Sequence, residues 1–278
     1  MSIRDLCASL EAHAARTPDA IAIEDADGTT TTYAALCARS MRVAGGLRAA
    51  GVDPTAREDG IVTVGLALDA DADYVAAFFG ALMAGGVPMP LDVDAPPARQ
   101  QAILRQAQCR HVVAAPRLAR DAFVDDIFDL PEPLRVAALD QASPIAARVV
   151  PKPLDPCYVQ STSGSTGTPK AILGNHRGLA HFLTWEVALL GADAGTRASM
   201  LAPITFDVHL RDMLVPLCAG GTLCLPGEAV RTDPRRLRAW LDDARVTTMH
   251  IVPTLFRLLL AELRADEEQA GAGQGAAD

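Results

Sequence analysis

Lysine is almost missing from this chain: of 25 lysines and arginines, only Lys152 and Lys170 are lysine. Arginine is the default cation, so a lysine inside a motif stands out. Positive charge as a whole is in deficit, with a net charge of −9 and an isoelectric point near 5.1. That excludes an extended nucleic-acid surface, because the arginines are scattered and the one basic cluster, Arg231 to Arg238, fits a single solvated helix. Cysteine and histidine each occur six times, without a C-x-x-C pair or a ligand-like spacing. Neither a disulfide framework nor a zinc site is indicated, and a reducing cytoplasm is the expected setting. No targeting segment is expected, since Arg4, Asp5 and Glu11 precede any apolar stretch. The uncharged run from Tyr74 to Leu91 reaches membrane-spanning length. It contains Gly80, Gly85, Gly86, Pro88 and Pro90, so it reads as a buried helix, a turn and a buried strand, with no membrane partner.

What is present begins with size. At 278 residues and 50% hydrophobic, the chain can bury one sizeable core. The most informative stretch runs from Thr162 through Ser163, Gly164, Ser165, Thr166, Gly167, Thr168 and Pro169 to Lys170, directly after a strand-like Tyr158 to Gln160. Glycines let backbone N–H groups turn toward one point, the hydroxyls add donors, and Lys170 adds a compact positive charge. An arginine there would bring a wide planar fork instead. These parts suit a polyphosphate. The register excludes the P-loop, because Gly167 is followed by Thr168-Pro169-Lys170. It also excludes the dinucleotide fingerprint, which needs a third glycine, and the nucleophile elbow, because position 163 is Ser. A flexible linker would lack a lysine at a fixed end and a strand on each side.

Along the chain, helices alternate with short apolar strands, which is α/β order. Helices are predicted at about Ile3 to Ala15, Thr32 to Ala50, Arg177 to Leu190, Val208 to Leu217, Pro234 to Ala244 and Pro253 to Arg264. A hairpin is predicted from Ile21 to Thr32. Buried strands are predicted at Ile61 to Ala67, Val87 to Met89, His111 to Ala114, Val136 to Leu139, Tyr158 to Ser161, Ala171 to Leu173, Ser199 to Ala202, Thr222 to Leu225 and Thr248 to Val252. The end, Ala265 to Asp278, lacks an apolar period and reads as a disordered tail.

Tyr158 to Lys170 resembles the phosphate loop of the adenylate-forming, AMP-binding enzymes, which include acyl-CoA synthetases, luciferases and nonribosomal peptide synthetase adenylation domains. Further segments follow in the family's order. Thr31-Thr32-Tyr33-Ala34-Ala35-Leu36 is similar to its "LTYxEL" helix start, and Leu82 to Asp92 to its "LKAGGAYVPLD" segment. Phe206-Asp207-Val208 is similar to "FDxS", and Val252 to Phe256 to the "PTxxxxL" stretch. The resemblance runs from about Leu10 to Leu260 and is greatest to the amino-acid-activating branch. It implies layered, mostly parallel sheets with flanking helices, the truncated N-terminal large domain of an adenylate-forming enzyme, over residues 1–264.

The resemblance also implies a reaction: a carboxylate attacks the α-phosphorus of ATP, forming an acyl-adenylate and releasing pyrophosphate. The acyl group then passes to the phosphopantetheine thiol of a carrier protein. Charge builds on the leaving phosphates, and each well-placed donor lowers such a barrier by ~3 kcal/mol. Thr162, Ser163, Gly164, Ser165, Thr166, Gly167 and Thr168 are the implied cradle for ATP, with Lys170 as the charge partner and the Thr166 hydroxyl as a ligand for Mg2+. Asp207 is implied to hold the α-ammonium of an amino acid, with Phe206 and Arg211 beside it. Asp207 also stands where an Asp commonly caps a helix, and the two roles are compatible.

The chain departs from the family pattern at His209, where a small Ser is usual, at Arg211, where relatives carry an aromatic or apolar residue, and at Ala171. Arg211 either lines the acid pocket, favouring an acidic or hydroxylated substrate, or points to solvent. The adenine and ribose contacts, the magnesium glutamate and the mobile C-terminal domain with its lysine all lie beyond the family segments matched here. The expected partners are therefore an amino acid or other small carboxylic acid, and a carrier protein or the missing C-terminal half. A noncatalytic or split-enzyme binding module and an acyl-CoA-type ligase are the alternatives. An unfinished sheet edge is expected after Thr248 to Val252.

Overall fold

A computed structural model describes residues 3–56, 60–118, 133–162 and 170–274. The first helix, α1 (Leu6–Arg16), begins where the Asp5 carboxylate accepts from the Ala8 amide. Strands β1 (Ile21–Glu24) and β2 (Thr30–Thr32) form the expected hairpin. The Thr32 hydroxyl then accepts from the Ala35 amide at 3.2 Å and starts α2 (Tyr33–Ala49).

A parallel sheet follows, built from β3 (Thr63–Ala67), β4 (Val87–Pro90), β5 (His111–Ala114) and β6 (Leu134–Arg135) in the order β4-β3-β5-β6. The uncharged run resolves as the sequence implied. Every residue of α3 (Ala72–Ala84) except Asp73 is buried, and Gly85 closes the helix at φ 82°, a left-handed conformation that favours glycine. The chain then enters β4 directly. Among the described residues no helix is long and apolar enough to cross a membrane. Helix α4 (Pro97–Gln106) leads on to β5.

The predicted strand Val136 to Leu139 is instead a short helix, α5 (Val136–Leu139), and only Leu134 and Arg135 pair with β5. Its buried residues, Val136 and Leu139, are three apart, which is helical spacing. Arg39 of α2 fixes the end of the turn by a paired contact with the Asp140 carboxylate, at 2.8 Å to each oxygen.

The second half opens with an antiparallel ribbon, β7 (Pro156–Thr162) and β8 (Lys170–Asn175). Next come α6 (His176–Leu190), β9 (Arg197–Ser199), α7 (Val208–Ala219), β10 (Thr222–Cys224), α8 (Glu228–Arg231), α9 (Pro234–Asp243), β11 (Thr248–Met249) and α10 (Pro253–Gln274). Strand β9 lies two residues before its expected place and shares only Ser199 with the predicted Ser199 to Ala202, while β11 keeps only the first two residues of Thr248 to Val252. Pairing follows the register with β10 and β9 rather than the apolar run. Helix α10 continues past Arg264 to Gln274, through a stretch whose Ala, Glu and Gln are strong helix formers.

Strands β9, β10 and β11 join the N-terminal hairpin in a five-stranded sheet of order β11-β9-β10-β1-β2. Two of the three core clusters are extensive. One gathers α1, β1, α2, α3 and α7, and the other lies between α4 and the β3–β5 strands and reaches Val159 of β7. Tyr33 is fully buried, and its hydroxyl donates to the Gly221 carbonyl at 2.8 Å. All six cysteines are buried and free of disulfides.

Candidate functional site

Strands β7 and β8 pair in register from Tyr158 opposite Gly174 to Thr162 opposite Lys170. The hydroxyl- and glycine-rich run therefore joins the two strands at one end of the ribbon. Its residues Ser163, Gly164, Ser165, Thr166, Gly167, Thr168 and Pro169 lie outside the described residues, as does the Thr162 side chain. Lys170 is exposed at the first position of β8.

The second candidate group is built from the other side. The segment Pro203 to Asp207 leaves β9 without regular structure and enters α7. Asp207 takes helical backbone angles, φ −60° and ψ −24°, and its side chain makes no capping hydrogen bond. Its carboxylate is thus not spent on the helix start. It lies close enough to β7 to act on Tyr158, whose phenol is pushed above its usual range first by burial and then by Cys157 and Asp207. Phe206 beside it is 61% exposed.

Arg211 is half-buried, with its Nε 3.5 Å from Oδ1 of the fully buried Asp212. That carboxylate also receives Nδ1 of His250 at 2.9 Å, and Nε2 of the same imidazole lies 3.2 Å from Glu186. The guanidinium is therefore already balanced within the chain, and an anionic substrate would have to compete with Asp212 for it.

His209 has no exposed surface. Its Nδ1 lies 2.6 Å from the Phe206 carbonyl and its Nε2 lies 2.7 Å from the Tyr74 hydroxyl. A carbonyl only accepts, so Nδ1 carries the proton, Nε2 is the acceptor and the Tyr74 O–H donates to it. Burial holds this imidazole neutral and lowers its pKa to about 4. The departure from a small Ser at this position is thus absorbed by a buried pair.

A cavity of about 840 Å³ adjoins the Pro203–Phe206 segment. It opens at the carboxyl ends of β1, β3, β4 and β10, where ligands collect in open α/β sheets. Asp25, Asp69, Asp71, Asp73 and Glu228 line it, and Arg231 is a cation in the same wall. Burial first, then neighbouring carboxylates, raises Asp71 to about 6, against the lowering effect of its hydrogen bond from the Tyr74 amide. Such a mouth disfavours phosphates. Among the described residues no group of three or more His, Cys, Asp or Glu is placed to hold a metal ion.

The model of the AMP-binding enzyme family matches residues 10–275. The chain belongs to that family. Phosphinothricin tripeptide synthetase PhsB of Streptomyces viridochromogenes is 31% identical over 92% of the chain, and pyochelin synthetase PchE of Pseudomonas aeruginosa is 33% identical over 89%. The chain spans only 21% and 16% of these two relatives. Among solved structures it superposes on the nonribosomal peptide synthetase FmoA3, as its AMPPNP-bound and α-methyl-L-serine-AMP-bound forms. The TM-scores are 0.80 and 0.81 at 30% and 31% identity, covering 94% and 92% of this chain and 27% and 28% of FmoA3. The resemblance read from the sequence is therefore correct: this AMP-binding chain has the fold of the N-terminal part of a nonribosomal peptide synthetase adenylation domain.

Within that family frame, the structure brings Asp207 and the β7–β8 ribbon together and turns Arg211 onto Asp212. Two features escaped the sequence reading. One is the Asp212–His250–Glu186 cluster, whose members are far apart in sequence. The other is Gln160, a 5%-exposed side chain whose amide donates to the Thr205 carbonyl. Its only sequence signal was a polar residue inside the apolar run Tyr158-Val159-Gln160.

Proposed function

We propose that this chain carries the phosphate-binding and acid-binding part of an enzyme that activates an amino acid by adenylation. The amino acid carboxylate oxygen bonds to the α-phosphorus of ATP, the bond from that phosphorus to the bridging oxygen breaks, and pyrophosphate leaves. The aminoacyl group then passes to a carrier-protein phosphopantetheine thiol. The remaining part of the domain, on the same or another polypeptide, supplies the other groups that hold ATP.

One observation carries the choice of an amino acid: Asp207 enters α7 without capping it and lies beside the ribbon that leads to the phosphate run. Asp207 is exposed beside Tyr158 with its carboxylate uncommitted to the helix start, and an α-ammonium is a matching charge for it. In this reading Ser163 to Thr168 and Lys170 stabilise the charge that develops on pyrophosphate, as preorganised donors do. Mg2+ enters only as the companion of the ATP phosphates, with the Thr166 hydroxyl as its proposed protein ligand. Family membership and the likeness to FmoA3, solved with AMPPNP and with an aminoacyl adenylate, support the same reading.

The test is amino-acid-dependent exchange of pyrophosphate into ATP, measured with the rest of the domain present. Asp207→Ala should abolish exchange with amino acids. Unaltered exchange after that substitution overturns the assignment in favour of an acid without an α-amine.

A further inference from the structure

The turn that presents Asp207 has no strand or helix of its own between Leu201 and Asp207, yet two successive carbonyls in it are taken by buried side chains, one from β7 and one from the first turn of α7. The Thr205 carbonyl accepts from the Gln160 side-chain amide, 45 residues away in sequence, on β7. The next carbonyl, that of Phe206, accepts from Nδ1 of His209, whose other nitrogen is held by Tyr74 of α3. Gln160 is 5% exposed and His209 is 0% exposed, so both donor side chains are withdrawn from solvent. Buried bonds of this kind cost most when one partner is removed, because the group left behind is desolvated and unpaired. Gln160 also lies on the strand that reaches Thr162 and the phosphate run two residues later.

We propose that Gln160 and His209 are positioning residues, clamping the Thr205–Phe206–Asp207 turn from two sides and thereby setting where the ammonium anchor Asp207 stands relative to β7. The role rests on the adenylation reading given above. It follows from what that reaction needs: the acid carboxylate must reach the α-phosphorus while its ammonium stays on Asp207. A displacement of about 1 Å costs roughly 100-fold in such a step. The two clamps enter from different layers, Gln160 from the ribbon and His209 through Tyr74 from the helix that flanks β3 and β4. A shift of either layer is therefore transmitted to Asp207.

Two variants and two readouts test this. Gln160→Leu keeps the bulk and removes the donor, and Tyr74→Phe keeps the ring and removes the bond that orients His209. In the full chain, hydrogen–deuterium exchange of the 204–210 amides should rise roughly tenfold in either variant, as expected for the loss of about one buried hydrogen bond. Amides of α6 should be unchanged. Unchanged exchange at 204–210, or a rise spread evenly over α6 as well, overturns the clamp.

In pyrophosphate exchange with the rest of the domain present, Gln160→Leu should raise KM for the amino acid about tenfold and leave KM for ATP unchanged. Equal changes in both constants, or in neither, overturn the positioning role. If the parent protein exchanges pyrophosphate with no amino acid, the adenylation reading fails and the positioning role fails with it. The deuterium result still decides whether the clamp exists.

Discussion

Tyr158 and Gly174 face each other across the β7–β8 ribbon, and a Cβ on Gly174 would meet the Tyr158 ring at 2.1 Å. The ring occupies the space a side chain would need, so glycine at this cross-strand position is a packing requirement. Gly174→Ala should destabilise the chain by about 1–3 kcal/mol, the usual range for overpacking a filled site. Urea unfolding checks it, and pairing the change with Tyr158→Ala should recover part of the loss. Additive losses in the double variant would show that the contact does not limit stability.

Asp71 gives a prediction in pH. Its folded pKa of about 6 exceeds the ordinary 3.8, so the protonated side chain contributes stability that is complete below 3.8 and lost as pH rises through 6. Asn keeps the oxygen that accepts from the Tyr74 amide and starts α3. Asp71→Asn should therefore be more stable than the parent by about 1–2 kcal/mol near pH 8, and indistinguishable from it near pH 4. An equal difference at both pH values would refute the burial argument.

His209 titrates in the opposite sense. Its folded pKa of about 4 lies below the ordinary 6.5, so its contribution is present above 6.5 and is lost as pH falls toward 4. The full loss corresponds to about 3 kcal/mol. His209→Asn should lower stability near pH 7 and flatten the fall between about pH 6.5 and pH 4. Denaturant midpoints across that window measure it, and a variant that keeps the parent's slope would assign the acid sensitivity to other groups.

Asp207 carries the substrate prediction. Removing the anchor of the α-ammonium should reduce amino-acid-dependent pyrophosphate exchange by at least about 100-fold, equivalent to roughly 3 kcal/mol of transition-state stabilisation. Stability should change little, because the side chain caps nothing. A large drop in thermal midpoint would instead make Asp207 a structural residue.

Much of this architecture was legible in local chemistry. Thr32 before Tyr33 marked the start of α2 and Gly85 the end of α3, while the spacing of hydroxyls, glycines and Lys170 led to the expectation of a phosphate run. That run still rests on its sequence, because Ser163 to Pro169 lie outside the described residues. What was not legible depends on partners distant in the chain. Val136 to Leu139 is too short for its apolar pattern to separate strand from helix, and the outcome turns on contacts such as Arg39 with Asp140. Gln160 carries no local mark, since its role exists only once Thr205 is brought beside it. Asp207 was read correctly as a helix-start position, but the sequence could not show that its carboxylate is left over.

The five-stranded sheet has a consequence for synthesis. Strand β1 lies between β2 and β10, and the Thr222 hydroxyl that helps seal this seam donates to the Ile21 carbonyl 201 residues away. A ribosome adding about 5–20 residues per second needs roughly 10–40 s to cover that separation. Through that interval the emerging hairpin has one open flank and nothing of its own chain to close it. Translation speed across the middle of the message, and the chaperones that meet the nascent chain, should therefore govern the yield of folded protein as strongly as any contact in the finished core.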